Sequence, residues 1–179
     1  MYDLGVDSGF TGNPINQMGS ESTFTYEQYP WHKLIFEASG ITVPKTANVY
    51  HLYLLNKRAE ELDIPKRLLF RLVWQESRYD STAISPKGAF GYMQLMSATY
   101  DYHATEMEYC GEHTPEMNII MGTRVLSKHY HYWLRVLDDE ELAWIYTLAS
   151  YNAGKGWVIA YNGIPPFKET QDFIAFIQQ

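Results

Sequence analysis

The stretch Pro65-Lys66-Arg67-Leu68-Leu69-Phe70-Arg71-Leu72-Val73-Trp74-Gln75-Glu76-Ser77 reads as one helix. Leu69, Leu72 and Val73 recur on one side at the helical period, and Pro65 stands at a first helical position, where its missing N–H costs nothing. Glu76 falls on that same face, three residues after Val73 and four after Leu72. A carboxylate on an apolar stripe loses hydration, and near a helix C-terminus it also faces the unfavourable end of the dipole. Both effects push its pKa up from roughly 4.3, towards protonation at working pH. A neutral carboxyl in a semi-apolar cleft is what a general acid needs to protonate a leaving oxygen. Periodicity leaves a second reading open, a Glu at a helix end that simply reaches solvent as most Glu residues do.

Outward from that helix the pattern stays helical. Trp31–Glu37 predicts a short helix closed by Ser39-Gly40, and 45–62 a longer one with Val49, Leu52, Tyr53, Ala59 and Leu62 on one face. Residues 80–92 and 103–115 read as loops around a short helix near 93–102. Helices at about 117–136, 139–152 and 169–177 follow, the second of these capped by Asp138 or Asp139. No run shows β alternation. The expected fold is all-α, with an N-terminal extended arm and short helix over 1–44 and a single catalytic domain over 45–179. Residues 1–30 carry no sustained helical period and are expected to pack on the body through Phe10, Phe24, Tyr26 and Tyr29.

Composition narrows the function. A chain of 179 residues fits one domain with a sizeable core. The net charge of −7 argues against a protein that neutralises phosphates, so nucleic acid is excluded as a partner. One cysteine cannot form an internal disulfide. No apolar run approaches the roughly 18 residues needed to cross a bilayer, so no membrane span is expected. The start, Met1-Tyr2-Asp3-Leu4-Gly5-Val6-Asp7, has acidic residues where a secretory signal would have basic ones. Aromatic residues make up 16% of the chain, which suits either a Tyr-rich core or a cleft lined with flat rings for sugars.

The residues after Glu76 sharpen this. Glu76-Ser77-Arg78-Tyr79, then Ala83, Ser85, Gly88-Ala89, Gly91 and Met93-Gln94-Leu95-Met96 with Thr99 resemble the signature of the lytic transglycosylases of the soluble type, which have a lysozyme-like fold. Three later blocks agree in order. Asn118-Ile119 with Gly122 and Leu126 is similar to the family's Asn-Ile-x-x-Gly helix. Ala149-Ser150-Tyr151-Asn152-Ala153-Gly154 resembles its Ala-x-Tyr-Asn-Ala-Gly motif, and Pro166-Phe167-Lys168-Glu169-Thr170 its closing Glu-Thr segment. The resemblance covers about residues 60–177. Three positions depart from it: Ser97 replaces the usual Pro, Tyr92 the usual aliphatic, and Val125 stands where a Tyr is expected.

The resemblance implies cleavage of the N-acetylmuramyl to N-acetylglucosamine β-1,4 bond of peptidoglycan glycan strands by a single acid, Glu76. Ordinary glycosidases need two carboxylates, and no second one is equally placed in the sequence. Family members are thought to resolve this by letting the muramyl 6-hydroxyl attack its own anomeric carbon, leaving a 1,6-anhydro end, with a nucleophile already tethered. On the same ground Ser85 and Gln94 match positions that hydrogen-bond the sugar, and Tyr151 and Asn152 match positions that hold the acid and the N-acetyl group. Met96 would be an apolar floor, and Glu169 would contact the stem peptide. Gly88, Gly91 and Gly154 are assigned to close approach of a ligand or another chain. Blander readings also fit: Ser85 and Gln94 as loop caps, Met93 and Met96 as core, Tyr151 as a core Tyr, Trp157 as either stacking platform or core plug.

No cofactor is implied. His103, Cys110 and His113 with Glu106, Glu108 and Glu112 match no standard zinc spacing, and no metal is expected. Two other functions fit the same residues: a muramidase that uses water, and a non-catalytic cell-wall-binding component of a virion or secretion machine. The expected place of action is the periplasm or cell wall, reached by delivery in a phage virion or release at lysis. The N-terminal arm is then a docking element for a virion or secretion-machine partner.

Overall fold

A computed structural model describes residues 30–179, and the expected packing of Phe10, Phe24, Tyr26 and Tyr29 lies outside the described residues. Eight α-helices account for the described chain: α1 (Trp31–Ser39), α2 (Val49–Glu61), α3 (Lys66–Ser77), α4 (Ser97–Glu106), α5 (Pro115–Leu137), α6 (Glu140–Ala153), α7 (Lys155–Tyr161) and α8 (Lys168–Gln178). Isolated bridges pair Ile84 with Phe90 and Phe90 with Leu95, and no strand forms among the described residues. The fold is all-α, as the periodicity implies.

The expected helices form with small shifts. Asn48 rather than the residues after Pro44 starts α2, because its side chain accepts from the amides of Tyr50 and His51. Pro65 sits one position outside α3, as its cap. Asp138 ends α5 in a left-handed conformation, and Asp139 caps α6 by accepting from the Leu142 amide at 2.9 Å. The helix expected near 93–102 forms at Ser97–Glu106 instead. Residues 93–96 are drawn into the bridged loop, where Gln94 has φ +46°, so helix begins only after Met96. The short α7 was not foreseen.

The core runs through every helix. Helix α3 packs against α1, α2 and α8; α5 packs against α2, α4 and α6; α6 carries α7 and α8. Leu69, Leu72 and Val73 are fully buried on the α3 face that also carries Glu76. Trp31, Ile35, Ile41 and Val43 join the same core, so the segment from residue 31 is packed on the body. Arg71 is buried at the meeting of three helices, its guanidinium donating to Ser39 O at 3.0 Å and to Phe176 O at 2.6 and 2.9 Å. These carbonyls at the ends of α1 and α8 would otherwise lack donors.

Candidate active site

Glu76 sits in the last turn of α3, just before Arg78 closes the helix with φ +54°. Its carboxyl is part-buried, and its pKa is raised to about 8. Burial is the larger cause, and the second is the negative charge of Glu169. The sequence could not show this. Glu169 lies 93 positions away and is exposed in the first turn of α8, yet the packing of α8 on α3 brings its charge to bear on Glu76.

The loop between α3 and α4 is fixed by side chains gripping its backbone. Asn118, buried on α5, accepts from the Met93 amide at 2.9 Å and donates to Phe90 O at 2.9 Å. Tyr151 OH donates to Met93 O at 2.7 Å from α6. The Ser77 hydroxyl lies 3.0 Å from Tyr92 O, tying the loop to the turn that carries Glu76. Gly91 and Gly122 make these contacts fit. A Cβ on Gly91 would fall 2.6 Å from Asn118 Cγ, and one on Gly122 would fall 2.4 Å from Met93 Cβ. Close approach therefore explains Gly91 but not Gly88 or Gly154. Those two have open space around a Cβ, and it is their positive φ of +86° and +93° that favours glycine.

A cleft of about 420 Å³ opens beside this loop, within the size range of ligand sites. Gln94, Met96, Tyr151 and Asn152 line it together, with Ser150 and Gly154 at the end of α6. Gln94 spends its amide protons on Ala83 O (3.0 Å) and Gly91 O (2.9 Å), which leaves its carbonyl oxygen as an acceptor. Asn152 Oδ1 accepts from Thr170 at 2.7 Å, leaving its amide as a donor. Burial and the neighbouring Glu76 push the Tyr151 phenol well above its ordinary value, so it keeps the proton that it gives to Met93 O and offers the cleft an acceptor lone pair. Met96 is 45% exposed and offers an apolar floor.

Ser85, Glu169 and Glu76 itself are not in the lining; Glu76 reaches the cleft through Tyr151, on whose phenol its charge acts. Ser85 closes its own turn, accepting from the Ala89 amide at 3.0 Å. The residues of the supposed metal cluster are dispersed: His113 stacks on Phe90 with ring centroids 5.2 Å apart, Cys110 is exposed, and His103 is buried in the cleft wall. Trp157 is 51% exposed, edge-on to Phe167 at 5.4 Å, which places it outside the core. Tyr92 is buried, its hydroxyl 2.9 Å from His51 Nδ1, while His51 Nε2 lies 2.7 Å from Glu116. That polar chain accommodates a Tyr where the resemblance expects an aliphatic. A second cavity of about 360 Å³ lies between α3, α6 and α8 and includes none of the expected site residues.

Residues 53–174 match the family described as Transglycosylase SLT domain. The chain belongs to that family. Among relatives, it is 32% identical over 99 residues to Membrane-bound lytic murein transglycosylase F 2 of Alkalilimnicola ehrlichii, covering 55% of this chain and 21% of that protein. It is 29% identical over 151 residues to Membrane-bound lytic murein transglycosylase F of Histophilus somni, covering 82% and 26%. It is 28% identical over 145 residues to Endo-type membrane-bound lytic murein transglycosylase A of Citrobacter koseri, covering 77% and 68%. The chain thus spans about a quarter or less of the length of the first two. The SLT domain match begins within α2 and ends within α8, so it takes in Glu76, the bridged loop and every residue of the cleft. No helix among the described residues is long and apolar enough to cross a membrane.

Proposed function

We propose that this chain is a peptidoglycan lytic transglycosylase that cuts the N-acetylmuramyl to N-acetylglucosamine β-1,4 bond with Glu76 as both acid and base. The observation that carries this is a part-buried carboxyl held protonated to about pH 8 and close enough to act on Tyr151 of the cleft wall, in an SLT domain. Glu76 gives its proton to the glycosidic oxygen as the bond from the anomeric carbon to that oxygen breaks, the electron pair leaving with the N-acetylglucosamine side. The resulting carboxylate then takes the proton of the muramyl 6-hydroxyl while that oxygen bonds to the anomeric carbon. The acid is regenerated and no water is consumed. Gln94, Tyr151 and Asn152 would hold the sugar, with Met96 beneath it. Ser85 would shape the loop, and Glu169 would contact the stem peptide.

A second reading rests on Glu169. Its charge acts on Glu76, and a pair of carboxylates flanking the bond is the arrangement of a hydrolase, with Glu169 activating water. Mass spectrometry of muropeptides from digested peptidoglycan separates the two. Anhydromuramic ends are expected; reducing muramic ends would overturn the transglycosylase and favour the hydrolase.

The acid sets a pH dependence. The rate should hold through neutrality and fall as pH rises through about 8, where Glu76 loses its proton. Glu169→Gln removes the smaller of the two causes, so the alkaline limb should move to lower pH while remaining above the ordinary Glu range. Stability follows the same group. The folded pKa lies above the model-compound value of 4.5, so the retained proton stabilises fully below that pH, and its contribution disappears as pH rises through about 8. A pH–rate profile with thermal melts at pH 5 and 9 checks both signs.

A further inference from the structure

The far wall of the cleft is built by two histidines that the proposed reaction does not use. His103 projects from α4 and His129 from α5, and both line the same cavity as Gln94, Met96, Tyr151 and Asn152. His103 is 7% exposed, and its Nδ1 lies 3.1 Å from the Glu106 carboxylate without making a hydrogen bond, so the contact between them is one of charge. His129 is part-buried and makes no side-chain hydrogen bond within the fold, its ring nitrogens keeping access to solvent. Nitrogens that open on a cavity and are unused by the fold are free to bond what enters it.

The state of the ring limits what that is. Burial first, then the positive charge of Lys155, holds His129 down to about 4, so at working pH it is a neutral imidazole with one donor and one acceptor. Lys155 is the cation in the lining, and its ammonium sits over the Tyr132 ring, 4.4 Å from the centroid. Val125 lines the cavity one helical turn before His129, presenting methyl groups beside the imidazole. An imidazole next to an aliphatic patch matches the two halves of an acetamido group, the amide and its methyl.

We infer that His129 is a specificity residue that hydrogen-bonds the acetamido group of an N-acetylhexosamine held in the cleft beyond the cleaved bond, with Val125 receiving the acetyl methyl. The inference rests on the glycan-cleaving reading of the same cleft and adds a sugar position to it. His103 backs the wall as a positioning residue.

Binding without turnover tests it. Titration calorimetry of the full chain is done with tetra-N-acetylchitotetraose, which has acetamido groups and no muramyl residue, and with cellotetraose, which has neither. The chain is expected to favour the chitotetraose. His129→Leu should weaken chitotetraose binding by about three- to tenfold, the effect of one lost hydrogen bond, and leave cellotetraose unchanged. His129→Gln, which keeps a donor and an acceptor, should restore most of the loss. On peptidoglycan, His129→Leu should raise KM with kcat unchanged, and equal melting temperatures show that all variants fold. Unchanged chitotetraose binding by His129→Leu, an equal loss for both sugars, or no binding by the parent chain each overturns the inference. A parent chain that discriminates the sugars through His129 but cuts no peptidoglycan overturns the transglycosylase and leaves this site standing. One that cuts peptidoglycan with KM indifferent to His129→Leu overturns this site alone.

Discussion

Glu76→Gln should lower kcat on peptidoglycan by roughly a thousandfold or more, the range lost with a positioned general acid. The substitution keeps the shape of the side chain and removes only its transferable proton. KM should stay near the parent value, because the polar contacts of the cleft come from Gln94, Tyr151 and Asn152 and are untouched. The same variant should melt at higher temperature than the parent at pH 9, since the parent must there ionise a part-buried carboxyl against burial and Glu169, whereas an amide carries no such cost. Dead and more stable at alkaline pH is a combination that a merely structural Glu would not produce. Loss of activity together with a collapsed melting temperature would instead assign Glu76 to the fold.

Asn118→Ala should cost about 2–4 kcal/mol and with it most of the activity. Asn118 is 1% exposed, and its removal strands a donor at Met93 and takes one of two donors from Phe90 O, which keeps only the Leu95 amide at 3.1 Å. For a chain of this length that is about 5–15 °C in melting temperature. The activity loss should exceed what partial unfolding explains at 25 °C, because the same loop carries Gln94 and Met96 into the cleft. Asn118→Asp makes a sharper comparison: it keeps the acceptor for Met93 but sets a buried carboxylate against Phe90 O, and at neutral pH should melt no higher than the alanine variant. Calorimetry and initial rates at 25 °C on all three proteins decide this, and an alanine variant with parental melting and rate would remove Asn118 from the anchor.

Much of the fold was legible because it rests on local pattern. Leu69, Leu72 and Val73 announced α3, whereas α5, expected from about 117, begins at Pro115 with Thr114 as its cap, in what reads as a polar loop. Glu76 stood out for the same reason, as a charge on a stripe that should have none. What escaped was either short or distant. Helix α7 is seven residues with Gly156 inside it and Trp157 facing solvent, so neither propensity nor a buried face marks it. Met93–Met96 looks helical in isolation, and only bridges to Phe90 and the grip of Asn118 make it a loop. Glu169 and His129 carry no local signal. One acts through the docking of α8 on α3, the other through the meeting of α4 and α5, and a lone residue on a helix face does not announce which wall it will complete.

The way the cleft loop is held has an evolutionary consequence. Asn118, Tyr151 and Ser77 all seize main-chain atoms of residues 90–93, which any sequence supplies, while most of the loop's outward side chains take no part in holding it. The loop can therefore drift in composition without losing its path. Exposed residues such as Ile84 and Lys87 are positions where a directed library would find variation tolerated, and Met96, which lines the cleft, is one where a new glycan preference can arise by point substitution.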